Sequence, residues 1–131
     1  MSPYVKRKDM KEKKPRIEKD VTLAGISVPE SAEVNREKRQ YKYLDCAFQD
    51  ADQQYLHITV SPQMGTVIDL SLPEFGLLAK LDALSRDKMH SKVHVVYYEA
   101  DKVGHDRKGV KRIFTNRRAN MNDIKLWKIL S

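Results

Sequence analysis

Apolar side chains take every second position through two neighbouring stretches of the chain. In YKYLDCAF, 41–48, Leu44, Cys46 and Phe48 are even while Tyr41 and Tyr43 are odd; in YLHITV, 55–60, Leu56, Ile58 and Val60 are even while Tyr55 and His57 are odd. A period of two marks a strand buried on one face. Joined through a turn at 49–53, the two stretches predict a hairpin, and pairing Phe48 with Gln54 sets Cys46 opposite Leu56 and Leu44 opposite Ile58. The even side then packs inward, and Tyr43, Tyr55 and His57 share the outer face.

Further along, Ile68, Leu70 and Leu72 alternate in TVIDLSL and predict a third strand, reached through a Pro62 and Gly65 loop. Ser71-Leu72-Pro73-Glu74 has the spacing of a capping box with proline in the first turn. It leads into an apolar stripe of Phe75, Leu77, Leu78, Leu81 and Leu84, which predicts a helix. KVHVVYYEA, 92–100, is apolar or aromatic on both sides, as in a strand covered on both faces. Residues 101–109 read as a polar loop and 110–115 as a strand, while MNDIKLWKIL fits a helix or a strand equally.

Before the hairpin the signals are weaker. Residues 21–26 form a short apolar stretch expected to lie extended against the core. Ser27-Val28-Pro29-Glu30 repeats the capping pattern and leads into SAEVNREKRQ, expected as a short surface helix. Residues 1–20 hold eight basic and four acidic side chains and almost no aliphatic ones. They are expected as a flexible basic arm, with a single domain over 21–131, because so little apolar surface cannot offset the cost of ordering the chain.

Three strands, a helix, then two or more strands make the fold mainly β (α+β). That is the order of the OB fold, a five-stranded barrel with a helix between strands 3 and 4. The alternative is a mixed sheet with one covering helix.

Composition adds a direction. The 131 residues carry 25 Lys and Arg against 18 Asp and Glu, a net charge of +7 that favours polyanionic partners. The one cysteine, Cys46, sits on the apolar side of its strand, which excludes an intramolecular disulfide framework and points to a reducing, cytoplasmic setting. No apolar run reaches the length of a membrane span, and the first residues lack a secretory signal.

Candidate chemistry follows from rings beside cations. Tyr41, Tyr43, Tyr55 and His57 follow or neighbour Arg36, Lys38, Arg39 and Lys42; a second group, Arg107, Lys108, Lys111, Arg112, Arg117 and Arg118, surrounds Phe114. Flat rings stack on unpaired bases and basic side chains neutralise phosphates, so these residues predict binding of single-stranded DNA, or RNA, with little base preference. Two other classes remain open. One is a protein-interaction or assembly subunit, including a homo-oligomer, anchored by the tyrosines and Trp127; the other is a small metal-independent ribonuclease or toxin using His57 or His105. His57, His90, His94 and His105 lack zinc spacing, most of the carboxylates Asp50, Asp52, Glu99, Asp101 and Asp106 fall in predicted turns, and no nucleophile or phosphate-loop motif is present. No cofactor, metal or catalytic residue is therefore expected.

Overall fold

The computed structural model describes residues 15–62, 65–98, 102–115 and 118–130. Within them the architecture is mostly β, organised as two sheets with a covering helix. The strands are β1 (Arg16–Ser27), β2 (Glu33–Asn35), β3 (Gln40–Tyr41), β4 (Leu44–Gln49), β5 (Tyr55–Val60), β6 (Ile68–Asp69), β7 (Lys92–Tyr98), β8 (Lys102–His105), β9 (Lys111–Phe114) and β10 (Lys128–Ile129); the helices are α1 (Gly76–Arg86) and the one-turn α2 (Met121–Ile124). The large sheet runs β10-β7-β1-β4-β5-β9-β8 and the small one β2-β3-β6. All pairs are antiparallel except β5 with β9.

The period-two pattern works as its chemistry requires. Leu44, Cys46 and Phe48 of β4 and Leu56, Ile58 and Val60 of β5 are buried, while the odd side chains of both strands are half-buried on the opposite face. The register is two residues from the expected one: Cys46 pairs with Ile58 and Phe48 with Leu56. A shift of two keeps every side chain on its face. The turn is set by Asp50, whose carboxylate accepts from the N–H groups of Asp52 and Gln54, and by Gln53 at φ 65°.

Helix α1 follows a single 3-10 turn, Pro73–Phe75, and buries Phe75, Leu78 and Leu81. It is tied to β1 by Ser85 Oγ, which accepts from Ile26 N at 3.1 Å. Strand β7 is buried on both sides: Val93, Val95 and Tyr97 join the core and Val96 is buried on the opposite side, while Trp127 Nε1 donates to the Val96 backbone carbonyl at 3.2 Å. Trp127 is 3% exposed and meets Phe48 edge to face, with centroids 5.5 Å apart. It is a core residue, not an exposed anchor. The C-terminal segment uses both of its readings, with α2 first and β10 after it.

Several expectations are corrected. Strand β1 begins at Arg16, so the boundary expected at residue 20 falls inside a strand, and 21–26 is part of a central strand paired with β4 and β7. The signal was hidden because Arg16, Glu18 and Asp20 take the outer side, where Asp20 and Glu18 meet His94 at 2.7 and 3.8 Å. Residues 1–14 lie outside the described residues. The expected surface helix after Pro29 is one 3-10 turn and the β2–β3 hairpin, which buries only Ala32 and Tyr41. Neither Ser-x-x-Glu pattern makes a side-chain cap. The strand expected over 66–72 shrinks to β6, because the Asp69 carboxylate accepts from Ser71 and turns the chain, leaving Leu72 exposed. The expected loop at 101–109 contains β8, paired with β9.

Among the described residues, no helix is long and apolar enough to cross a membrane.

Candidate functional site

The parallel pairing of β5 with β9 assembles the site. It sets Tyr55 beside Arg112 and His57 beside Phe114, bringing the even residues of β9 onto the face of the odd residues of β4 and β5. The Arg112 guanidinium carbon sits over the Tyr55 ring at 4.3 Å from its centroid. At the other end of β4, the Arg118 guanidinium covers Tyr43 at 4.4 Å. Both contacts are in the range where a cation is attracted to a ring face. The Tyr43 hydroxyl is also within 3.1 Å of Ser31 Oγ.

Between the two tyrosines lies a polar chain. His57 Nε2 is 2.9 Å from Arg112 Nη1, and His57 Nδ1 is 3.1 Å from Asp45 Oδ2. A guanidinium has only donors, so Nε2 must accept and the ring proton sits on Nδ1, donated to Asp45. Phe114 stacks on the imidazole, with centroids 4.7 Å apart and an interplanar angle of 12°. The far side of Arg112 faces Asp106, Nη2 to Oδ2 at 3.5 Å. The Asp106 carboxyl is held below the usual carboxylate range, first by the Val110 N–H, then by the Lys108 N–H and the charges of Arg112 and Lys108, against a partial desolvation penalty. Gly109 completes that turn at φ 81°, a conformation costly for a residue with a Cβ.

Where the β4–β5 and β8–β9 turns meet is an open groove of about 600 Å³ lined by Gln49, Gln53, Tyr55, Asp106, Arg107, Lys108, Val110 and Arg112. Its rim carries the exposed Arg107 and Lys108.

The candidate residues thus separate. Tyr43, Tyr55, His57, Arg112, Phe114 and Arg118 come to one face, and Arg107 and Lys108 to its edge. Tyr41 does not: it lies in β3, is 8% exposed and belongs to the core, because the chain bends before Leu44 and starts a new alternation there. Nor is His57 an open stacking ring. Its side chain is 11% exposed, with both nitrogens bonded and one face against Phe114. Arg36 is paired with Glu33 at 2.9 Å, and Arg39 with Asp82 of α1 at 2.8 Å, so the cations over the tyrosines come from the second basic group instead. Lys38 and Lys42 are exposed, in or next to the β2–β3 hairpin. Lys111 takes the side of β9 shared with Ile113, which packs on the core, and so points away from Arg112. Arg117 lies outside the described residues.

Sequence reasoning missed Asp45 as a site residue and Asp106 as the partner of Arg112. Both carried a signal: Asp45 is the one acid on the odd side of β4, and Asp106 stands three residues before a glycine, as in a tight turn. Cys46, directly behind Asp45, is fully buried, and burial pushes its thiol far up, with Asp45 and Asp82 adding to the effect. A thiol so buried and so held in its protonated form is a poor nucleophile. Among the described residues, no group of three or more His, Cys, Asp or Glu is placed to hold a metal.

No family model matches the chain, and no curated protein matches it in sequence.

Proposed function

We propose that this protein binds single-stranded nucleic acid, DNA ahead of RNA, on the face formed by β4, β5 and β9, with little base preference. The observation that carries the reading is the pair of arginine-covered tyrosines on that face, one of them flooring a groove with a basic rim. Rings and guanidinium groups accept any base on their flat faces, while Arg107, Lys108 and Arg118, with Arg117, supply positive charge for phosphates.

The same reading includes a closed OB-type barrel. Strands β7 and β8 stand near opposite ends of the sheet order, yet only 99–101 separate them, so Tyr98 and Lys102 are at most about 15 Å apart. With β1 paired to both β4 and β7, and β5 parallel to β9, that proximity supports a five-stranded barrel in which β7 and β8 are two halves of one strand. Helix α1 then stands between the third and fourth barrel strands.

Fluorescence anisotropy with single-stranded and duplex DNA and RNA at two salt concentrations tests the proposal. Single strands are expected to bind ahead of duplexes. Tyr43→Ala with Tyr55→Ala should weaken binding without unfolding the domain, and charge reversal at Arg117 and Arg118 should flatten the salt dependence. Unchanged affinity in both variants removes the proposal.

A further inference from the structure

Basic side chains on a nucleic-acid-binding face are ordinarily counted as phosphate contacts, but the surroundings of Arg112 do not suit that role. Its donors are already engaged on two sides: Nη1 is 2.9 Å from His57 Nε2, and Nη2 faces Asp106 Oδ2 at 3.5 Å. Its charge is met by a carboxylate that the N–H groups of Lys108 and Val110, each 2.9 Å from Oδ1, hold in place. A phosphate at this point would compete with a preorganised carboxylate and would draw Nη1 away from a buried imidazole. The surface left over is different in kind. The guanidinium carbon rests 4.3 Å above the Tyr55 ring, and the side chain, 30% exposed, is among those that line the groove.

We infer that Arg112 is a stacking plane for an unpaired base, fixed between Tyr55 below and the groove above, and that Asp45 and His57 are the residues that position it. The inference rests on the single-strand reading above and names which part of the ligand this residue takes. Asp45 acts at one remove: by accepting from Nδ1 it leaves the Nε2 lone pair of His57 aimed at Arg112. Hydrogen-bonded at Nη1, ion-paired at Nη2 and supported by a ring, the guanidinium is restrained before ligand arrives, so a base stacks on it with little further ordering. A planar contact reads no hydrogen-bonding edge, so it accepts purines and pyrimidines alike. Phosphate neutralisation falls to Arg107 and Lys108, exposed on the rim of the same groove.

The test compares two ligands of equal length, oligothymidylate and an abasic sugar–phosphate strand, on the full chain and on Arg112→Lys. Lysine keeps the charge and loses the plane. The expected result is that Arg112→Lys lowers oligothymidylate affinity about tenfold, within the range for one stacked base, while abasic-strand affinity and the salt slope stay at their original values. His57→Ala, with its fold checked by circular dichroism, should give the same ligand-selective loss in smaller measure, and it serves as the second variant if Arg112→Lys does not fold. Parallel losses on both strands, or no loss on either, overturn the inference while leaving single-strand binding intact. Failure of the unaltered protein to bind oligothymidylate removes the interface reading, and this assignment with it.

Discussion

The two arginine-covered tyrosines predict a length threshold in the ligand. Tyr55 pairs with Gln49, and Tyr43 lies six residues before Gln49 along the same stretch. At the rise of a strand the two rings are about 20 Å apart along β4. A short oligonucleotide therefore reaches only one of them. Removing Tyr43 should then change its affinity by no more than about twofold, the most that losing the weaker or equal of two places to bind can cost. An oligonucleotide that bridges both gains a second stacked base, about 1–3 kcal/mol, or roughly 5- to 150-fold in affinity. Anisotropy titrations of oligothymidylates of increasing length, run on the unaltered protein and on Tyr43→Ala, measure this directly. The two affinity curves should stay within about twofold of each other at short lengths and separate further once the ligand spans the strand. Curves that run parallel from the shortest length upward, or never separate, refute the reasoning, because affinity would then come from phosphate contacts accumulated along the chain.

Two further outcomes concern stability. Trp127→Ala removes a buried ring, its edge contact with Phe48 and the donor to the Val96 carbonyl, and should lower unfolding free energy by about 3–5 kcal/mol in urea titrations followed by circular dichroism; a loss below about 1 kcal/mol would contradict its place in the core. The folded-state pKa of Asp106 is depressed, so its contribution is fully present above about pH 4 and is lost as pH falls through the lowered value; Asp106→Asn should therefore make stability less sensitive to acid in that window, and an unchanged acid profile would show that the turn does not depend on this carboxylate.

Much of the framework could be read from residue order because alternation and burial agree there. The 44–48 and 55–60 strands, the helix stripe through Phe75, Leu78 and Leu81, and the two-sided strand at 92–98 all bury the side chains their pattern assigns inward. The outer strands were hidden for a physical reason. β1 balances its outward Glu18 and Asp20 against His94 across the sheet, a long-range pairing that local composition cannot reveal. β8 carries a glycine and an exposed Val103, so it lacks an apolar stripe to detect. At the site, the rings are legible in the sequence, but proximity along the chain points to the wrong cations. Charge says that arginines are present; the fold decides that Arg36 and Arg39 are neutralised by Glu33 and Asp82 while Arg112 and Arg118 reach the tyrosines. His57 and Tyr41 depart from expectation in the same sense, since alternation fixes a side of the sheet but not which neighbour covers it.

Joining β5 to β9 side by side also sets the order in which this molecule becomes competent during translation. Tyr55 and His57 leave the ribosome 57 residues ahead of their neighbours Arg112 and Phe114, and a parallel neighbour can dock only after the long crossover between them has been made. Until then the nascent chain displays a phenol ring and an imidazole without the guanidinium that covers the one and the phenyl that covers the other. The proposed binding face is thus among the last parts of the described fold to exist.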